Sequence, residues 1–156
     1  ITYLRTRGGW LYLTVILDLY DRKIIGWAFS TDMEAVHTTI PAMEMAFANR
    51  KAREGLIFHS DRGVQYCAKA FRKTLEELCP SVHRSMSRKG NRWDNVCAKS
   101  FFKTLKRELE TVDGKHTAGE VRQSVFMYVE AYYNRIRLHS ALDYAAPDGF
   151  NGGQVA

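Results

Sequence analysis

Cysteine is scarce in this chain and poorly spaced for chemistry. Cys67, Cys79 and Cys97 form no C-x-x-C pair, and three thiols leave one over in any disulfide scheme. A zinc finger and a disulfide scaffold are both excluded, and reduced, inert thiols fit a cytosolic protein. Long apolar runs are missing as well: none approaches the ~20 residues that span a bilayer, and the first residues offer neither the basic start nor the apolar segment of a secretory signal. The sequence opens at Ile1 without an initiator methionine and enters a strand-like pattern at once, from which we expect an upstream segment to have been removed. There is no internal repeat and no low-complexity tract. What remains is 156 residues with 46% hydrophobic content, enough for one domain with a single core and short for two.

Acidic residues are in deficit too, 17 against 23 basic ones, and the imbalance is local. Residues 81–110 hold eight basic side chains (Arg84, Arg88, Lys89, Arg92, Lys99, Lys103, Lys106, Arg107) and three acidic ones (Asp94, Glu108, Glu110). A polyanion is the natural partner of such a stretch, although a solvated basic face gives the same count.

Periodicity supplies the frame. Trp10 to Leu19 alternates, with Leu11, Leu13, Val15, Leu17 and Leu19 on one face and a second face opposite, both mostly apolar, which predicts a strand. Tyr20 to Lys23 reads as the turn of a hairpin to a second strand, Ile24–Phe29, and Ile1–Leu4 as a third antiparallel member. From Glu34 to Arg50 the stripe Val36, Ile40, Met43, Phe47 predicts an amphipathic helix in which Pro41 sits in the first turn or makes a kink. Leu56–Phe58 is a short buried strand. A helix with Phe71, Leu75 and Leu78 inward follows, closed by Pro80, then an edge strand over Val82–Met86 and a loop over Ser87–Asn91. Asp94 is positioned to cap a helix with Phe102, Leu105 and Leu109 inward and Lys99, Lys103 and Lys106 on another face. Thr117-x-x-Glu120 is a capping box before a longer helix that turns Val121, Val125, Tyr128, Val129 and Tyr132 inward. The expected fold is α/β, a mixed five-stranded sheet flanked by helices over residues 1–147, with a frayed tail at 148–156.

Two segments carry candidate chemistry. His59-Ser60-Asp61-Arg62-Gly63 ends a buried strand, where open α/β sheets deliver side chains to a crevice, and Asp61 is the candidate ligand for a hard cation. By itself an Asp after a strand fits a turn as well as a metal, and His59 fits packing as well as function. Ser85-Met86-Ser87-Arg88-Lys89-Gly90-Asn91-Arg92-Trp93-Asp94-Asn95 has the basic and small polar residues of a loop that orders on a phosphate backbone, and also those of an ordinary surface loop.

Taken together and in order, His59-Ser60-Asp61-Arg62-Gly63-x-Gln65-Tyr66, Ser85 to Asn91, Asp94-Asn95, Ser100-Phe101-Phe102-x-x-Leu105-Lys106 and Tyr133-Asn134-x-x-Arg137-x-His139 resemble the integrase core of two-frame insertion-sequence transposases, relatives of retroviral integrase. The resemblance runs from Ile1 to about Pro147. It implies a ribonuclease H-like fold and DNA transposition by strand cleavage and transfer, with two Asp and one Glu holding two Mg²⁺ or Mn²⁺ ions. The family's second Asp falls on Asp61. Its first Asp directly precedes an Ile-Thr-Tyr strand and so would stand before Ile1. Its Glu falls on Lys99. The resemblance therefore implies impaired metal binding, and an ion pair between Lys99 and Asp61 is one expected consequence.

The leading expectation is a DNA strand-transfer core, inactive in this form, that contacts DNA through Arg88, Lys89, Asn91, Arg92, Lys99, Lys103 and Lys106. The alternative is a non-catalytic DNA-binding fragment that occupies transposon ends. A cellular ribonuclease H shares the fold but not the Ser85–Asn91 and Tyr133–His139 motifs. Expected partners are DNA, as transposon ends and target, and further copies of the chain, in the cytoplasm, with no membrane and no small-molecule substrate.

Overall fold

The computed structural model describes residues 1–89 and 93–150. Three antiparallel strands open the fold: β1 (Thr2–Thr6), β2 (Gly9–Leu17) and β3 (Ile24–Ser30), in the order β1-β2-β3. Tyr3 faces Tyr12 across the first pair and Val15 faces Trp27 across the second. α1 (Thr39–Asn49) precedes β4 (Ile57–Ser60), then α2 (Val64–Cys67) and α3 (Lys69–Leu78) lead to β5 (His83–Met86). α4 (Val96–Glu108) and α5 (Ala118–Met127) complete the helices, and α5 runs on into a π-helical segment, Tyr128–Tyr133.

The expected five strands form, but as two sheets among the described residues: the antiparallel trio, and β4 with β5 in parallel. The outer edge of β1 is taken elsewhere. Arg5 bridges to Asp113, and the Arg7 amide donates to the His116 carbonyl at 2.7 Å.

β2 is buried on both faces because its alternation is apolar twice over. Leu11 and Leu13, with Leu4 of β1 and Ile24 of β3, pack against Phe101 and Leu105 of α4, Val121 and Val125 of α5, and Val129 and Tyr133 beyond it. On the other side Ile16 meets a cluster of Ile40 and Met43 from α1 and Phe71 and Leu75 from α3. The approach of α1 is unusually close: a Cβ on Gly26 would lie 2.1 Å from the Ala42 carbonyl oxygen and 2.7 Å from the Ala46 Cβ, so only glycine fits there.

α1 starts five residues later than the apolar stripe predicts. A helix from Glu34 would hold Pro41 in its interior, without the N–H that the His37 carbonyl needs; starting at Thr39 places Pro41 in the first turn. Val36 consequently falls outside the helix and is exposed. Asp94 does not cap α4 either. It lies within a single 3-10 turn (Trp93–Asn95) that precedes the helix, and its carboxylate is engaged by Arg88. The capping box forms as expected, with the Thr117 hydroxyl accepting from the Glu120 amide and the Glu120 carboxylate accepting from the Thr117 amide.

The C-terminal segment does not hang free where it is described. Pro147–Gly149 forms a 3-10 turn, the Asp148 amide donates to the Asn134 carbonyl at 2.8 Å, and Lys23 pairs with the Asp148 carboxylate at 2.5 Å. The rest of the expected tail, 151–156, lies outside the described residues. Among the described residues no helix is long and apolar enough to cross a membrane.

Candidate metal and nucleic-acid site

Because β4 and β5 are parallel and in register from Ile57–His83 to Ser60–Met86, the segments that leave them emerge side by side at one edge. One carries Asp61 and Arg62, the other Ser87, Arg88 and Lys89. The edge is laced together. The Ser87 amide donates to the Ser60 carbonyl at 2.9 Å, and the Arg62 Nε donates to the Ser87 carbonyl at 2.9 Å. His59 lies between the two segments, Nδ1 at 2.9 Å from the Ser85 hydroxyl and Nε2 at 3.2 Å from that of Ser87.

Asp61 is exposed, and one carboxylate oxygen accepts from the Gly63 amide at 2.9 Å, an Asx turn that fixes its direction. Two neighbours report its charge. Burial lowers the pKa of the Ile1 amino group, and Asp61 pulls it back upward. Burial, and secondarily the Asp61 charge, push the Tyr66 phenol above its ordinary range. The amino group of Ile1, the residue before β1, therefore lies in the field of Asp61.

The start of α4 is fastened to this edge. Asp94 accepts from the Arg88 amide at 2.9 Å and from its guanidinium at 3.1 and 3.3 Å; these bonds hold the Asp94 carboxyl below its usual range. A second tie comes from the hairpin turn, where Arg22 Nη1 lies 2.8 Å from the Cys97 sulfur. With Phe101 and Leu105 buried, Lys99, Lys103 and Lys106 are left exposed on α4, and partial burial lowers the pKa of Lys106. The expected ion pair between Lys99 and Asp61 is not among the ion pairs that the described residues form. Asn91 and Arg92 lie outside the described residues.

Does this site suit the divalent ions that the sequence resemblance implies? Hard cations need several oxygen donors. Among the described residues no group of three or more His, Cys, Asp or Glu is placed to hold a metal, and residue 99 is a lysine. The residues present do not fit the group. Nearby acids are committed elsewhere: Asp18 and Asp21 both accept from Arg50 and turn their other oxygens to the amides of Tyr20 and Lys23, while Glu108 accepts from Arg137 and the Tyr128 hydroxyl.

The motif Tyr133-Asn134-x-x-Arg137-x-His139 is a clasp. Tyr133 meets Phe101 and His139 edge-on, each with ring centroids 4.8 Å apart. The Asn134 amide mimics a strand neighbour, accepting from the Ile24 amide at 2.9 Å and donating to the Ile24 carbonyl at 3.0 Å. Arg137 binds Glu108 through Nε and Nη2 at 3.3 and 3.2 Å. Burial, with Arg137 and Arg22 nearby, lowers the His139 pKa.

Sequence reasoning passed over Arg62 and the roles of His59 and Asp94. A signal existed for one of them: Ser85 on β5 and Ser87 just past its end are two apart, the spacing that puts both on one side of an extended segment, where His59 meets them.

Known proteins resemble this chain at both levels. Two family models described as integrase core domain match residues 1–92 and 81–147. The transposase for insertion sequence element IS904 of Lactococcus lactis subsp. lactis is 41% identical over 150 residues, covering 96% of this chain and 58% of the relative. Transposase InsF for insertion sequence IS3A of Escherichia coli K12 is 41% identical over 158 residues, covering 100% and 53%. The chain thus spans little more than half the length of these curated relatives. In structure, a chain of the simian T-cell lymphotropic virus intasome in complex with PP2A regulatory subunit B56 gamma superposes with a TM-score of 0.74 at 11% identity, covering all of this chain and 54% of that one. That likeness identifies the fold as ribonuclease H-like.

Proposed function

This chain belongs to the integrase core domain family, that of insertion-sequence transposases, and from that membership we propose that it is a DNA-transposition core that holds DNA but does not cut it. The observation that carries the reading is the composition of this region: Asp61 leaves β4 beside the segment that carries Arg88 and Lys89, the helix that follows exposes Lys99, Lys103 and Lys106, and the residue read at the family's Glu position is Lys99. Arg88, Lys89, Asn91, Arg92, Lys99, Lys103 and Lys106 are the DNA contacts in this reading, with phosphate recognition dominating. Among the described residues Lys89, Lys103 and Lys106 form no ion pair that would compete with phosphate.

In the family, Mg²⁺ or Mn²⁺ supplies the charge that activates the attacking oxygen and stabilises the leaving one. Here Asp61 is the candidate ligand at this edge, and the family's Glu position is read as Lys99. Two unit charges at ~4 Å interact by ~4 kcal/mol at an effective dielectric of about 20, and a divalent ion facing the Lys99 ammonium meets about twice that repulsion.

The test is a duplex-binding titration at several salt concentrations, paired with incubation of supercoiled plasmid in Mn²⁺. Salt-dependent binding without nicking is expected; nicking by this chain, or no binding, overturns the proposal. The alternative of a non-catalytic fragment that occupies transposon ends is favoured by the same Lys99, and preference for terminal-repeat DNA over random duplex would support it. Cytoplasmic location and association into multimers that pair DNA ends belong to the same proposal.

A further inference from the structure

Two arginines flank the β4–β5 edge, and they differ in what their guanidinium groups are doing. Arg88 spends Nε, Nη2 and its backbone amide on Asp94. Arg62, one residue after Asp61, is exposed and forms no ion pair among the described residues. Its hydrogen bond runs from Nε to the Ser87 carbonyl, which is itself fixed because the Ser87 amide and hydroxyl both donate to the Ser60 carbonyl. A guanidinium is a planar fork of five donors. Holding it by Nε fixes the plane and leaves the two terminal nitrogens for an oxyanion.

We propose that Arg62 is a phosphate clamp, binding one backbone phosphate of a DNA strand that crosses the edge beside Asp61. This rests on the DNA-binding reading above and adds a contact to it. The strap to Ser87 ties the clamp to both parallel strands, so the bound phosphate is held at a fixed place relative to Asp61. A lysine at 62 would carry the charge without the fork or the strap.

The experiment compares the unaltered chain with Arg62→Gln and Arg62→Lys in fluorescence-anisotropy titrations of a labelled duplex over a range of KCl, with thermal unfolding of each variant to confirm folding. One phosphate contact contributes about 0.9 to the slope of log K against log salt, which for a purely electrostatic contact is about eightfold in affinity at 0.1 M and about twofold at 0.5 M. Arg62→Gln is expected to lower the slope by that amount, and Arg62→Lys to restore the slope with incomplete affinity. A folded Arg62→Gln with the slope and affinity of the unaltered chain overturns the clamp and leaves Arg62 a strap between two loops. If the unaltered chain binds no duplex, the DNA-binding reading fails and the clamp with it. Should Arg62→Gln not fold, the Lys variant decides: slope retained with affinity reduced supports the clamp, and unchanged affinity overturns it.

Discussion

Asn134→Ala should destabilise the domain strongly while leaving DNA affinity intact. Asn134 is 2% exposed, and its amide satisfies both the N–H and the C=O of Ile24, itself buried at the free edge of β3. Removing it strands two backbone groups that no water reaches, and each such group costs about 1–3 kcal/mol. The loss is therefore about 2–6 kcal/mol, and at about 2–4 °C per kcal/mol for a domain near 150 residues the melting temperature should fall by about 4–24 °C. Asn134→Asp sharpens the test. It keeps the acceptor for the Ile24 amide but turns a carboxylate toward the Ile24 carbonyl, so its protonated form fits better and its folded pKa should rise above the unfolded value. The destabilisation of that variant should then lessen as the pH falls toward about 4. Urea unfolding followed by circular dichroism reads the stability, and anisotropy well below the transition reads DNA binding. Unchanged stability with lost DNA affinity would refute the reasoning and make the motif a DNA contact instead of a clasp.

Other perturbations probe the remaining joints. Gly26→Ala forces α1 off β3, since the new Cβ would sit on the Ala42 carbonyl; a loss of about 1–3 kcal/mol or more is expected in urea melts. Thr117→Ala removes the capping box and should cost about 1 kcal/mol by the same measurement, with no change in DNA affinity. Burial pushes the Glu108 carboxyl up, but Arg137 and the Tyr128 hydroxyl more than offset this and leave it below its ordinary range. Its contribution is therefore present above the unfolded pKa and lost as the pH falls through the lower folded value. Glu108→Gln should flatten that acid limb of stability, seen as a smaller difference in melting temperature between pH 6 and pH 3. Lys103→Gln with Lys106→Gln should lower the salt slope of DNA binding by up to about 1.8, one contact each; an unchanged slope would remove this face of α4 from the interface.

Local signals in the sequence predict well. The alternation that starts at Trp10 gives a strand, which ends at Leu17 with Leu19 beyond it, and Thr117-x-x-Glu120 gives a helix start, because each depends on residues within a few positions of one another. Asp61 falls at a strand end and the lysines on one exposed helix face for the same reason. What escaped is long-range. The bond from Arg62 to Ser87 spans 25 residues, that from Arg137 to Glu108 spans 29, and that from Asn134 to Ile24 spans 110, and no periodicity encodes such pairs. The apolar stripe alone starts α1 too early, at Glu34, whereas Pro41 falls in the first turn, one of the two placements the sequence allows. Asp94 has the composition of a cap, yet the neighbouring Arg88 offers its carboxylate a charged partner and wins it.

The central claim is that Asp61, position 99 and the residue before Ile1 belong to one divalent-ion site, which Lys99 disables. Mn²⁺ titration by calorimetry tests it most directly, comparing the unaltered chain with one that carries Lys99→Glu and an added N-terminal Asp. Binding is expected for the second protein and not for the first. Mn²⁺ binding by the unaltered chain, or none by the repaired one, would contradict the assignment of Asp61 and position 99 to a single site.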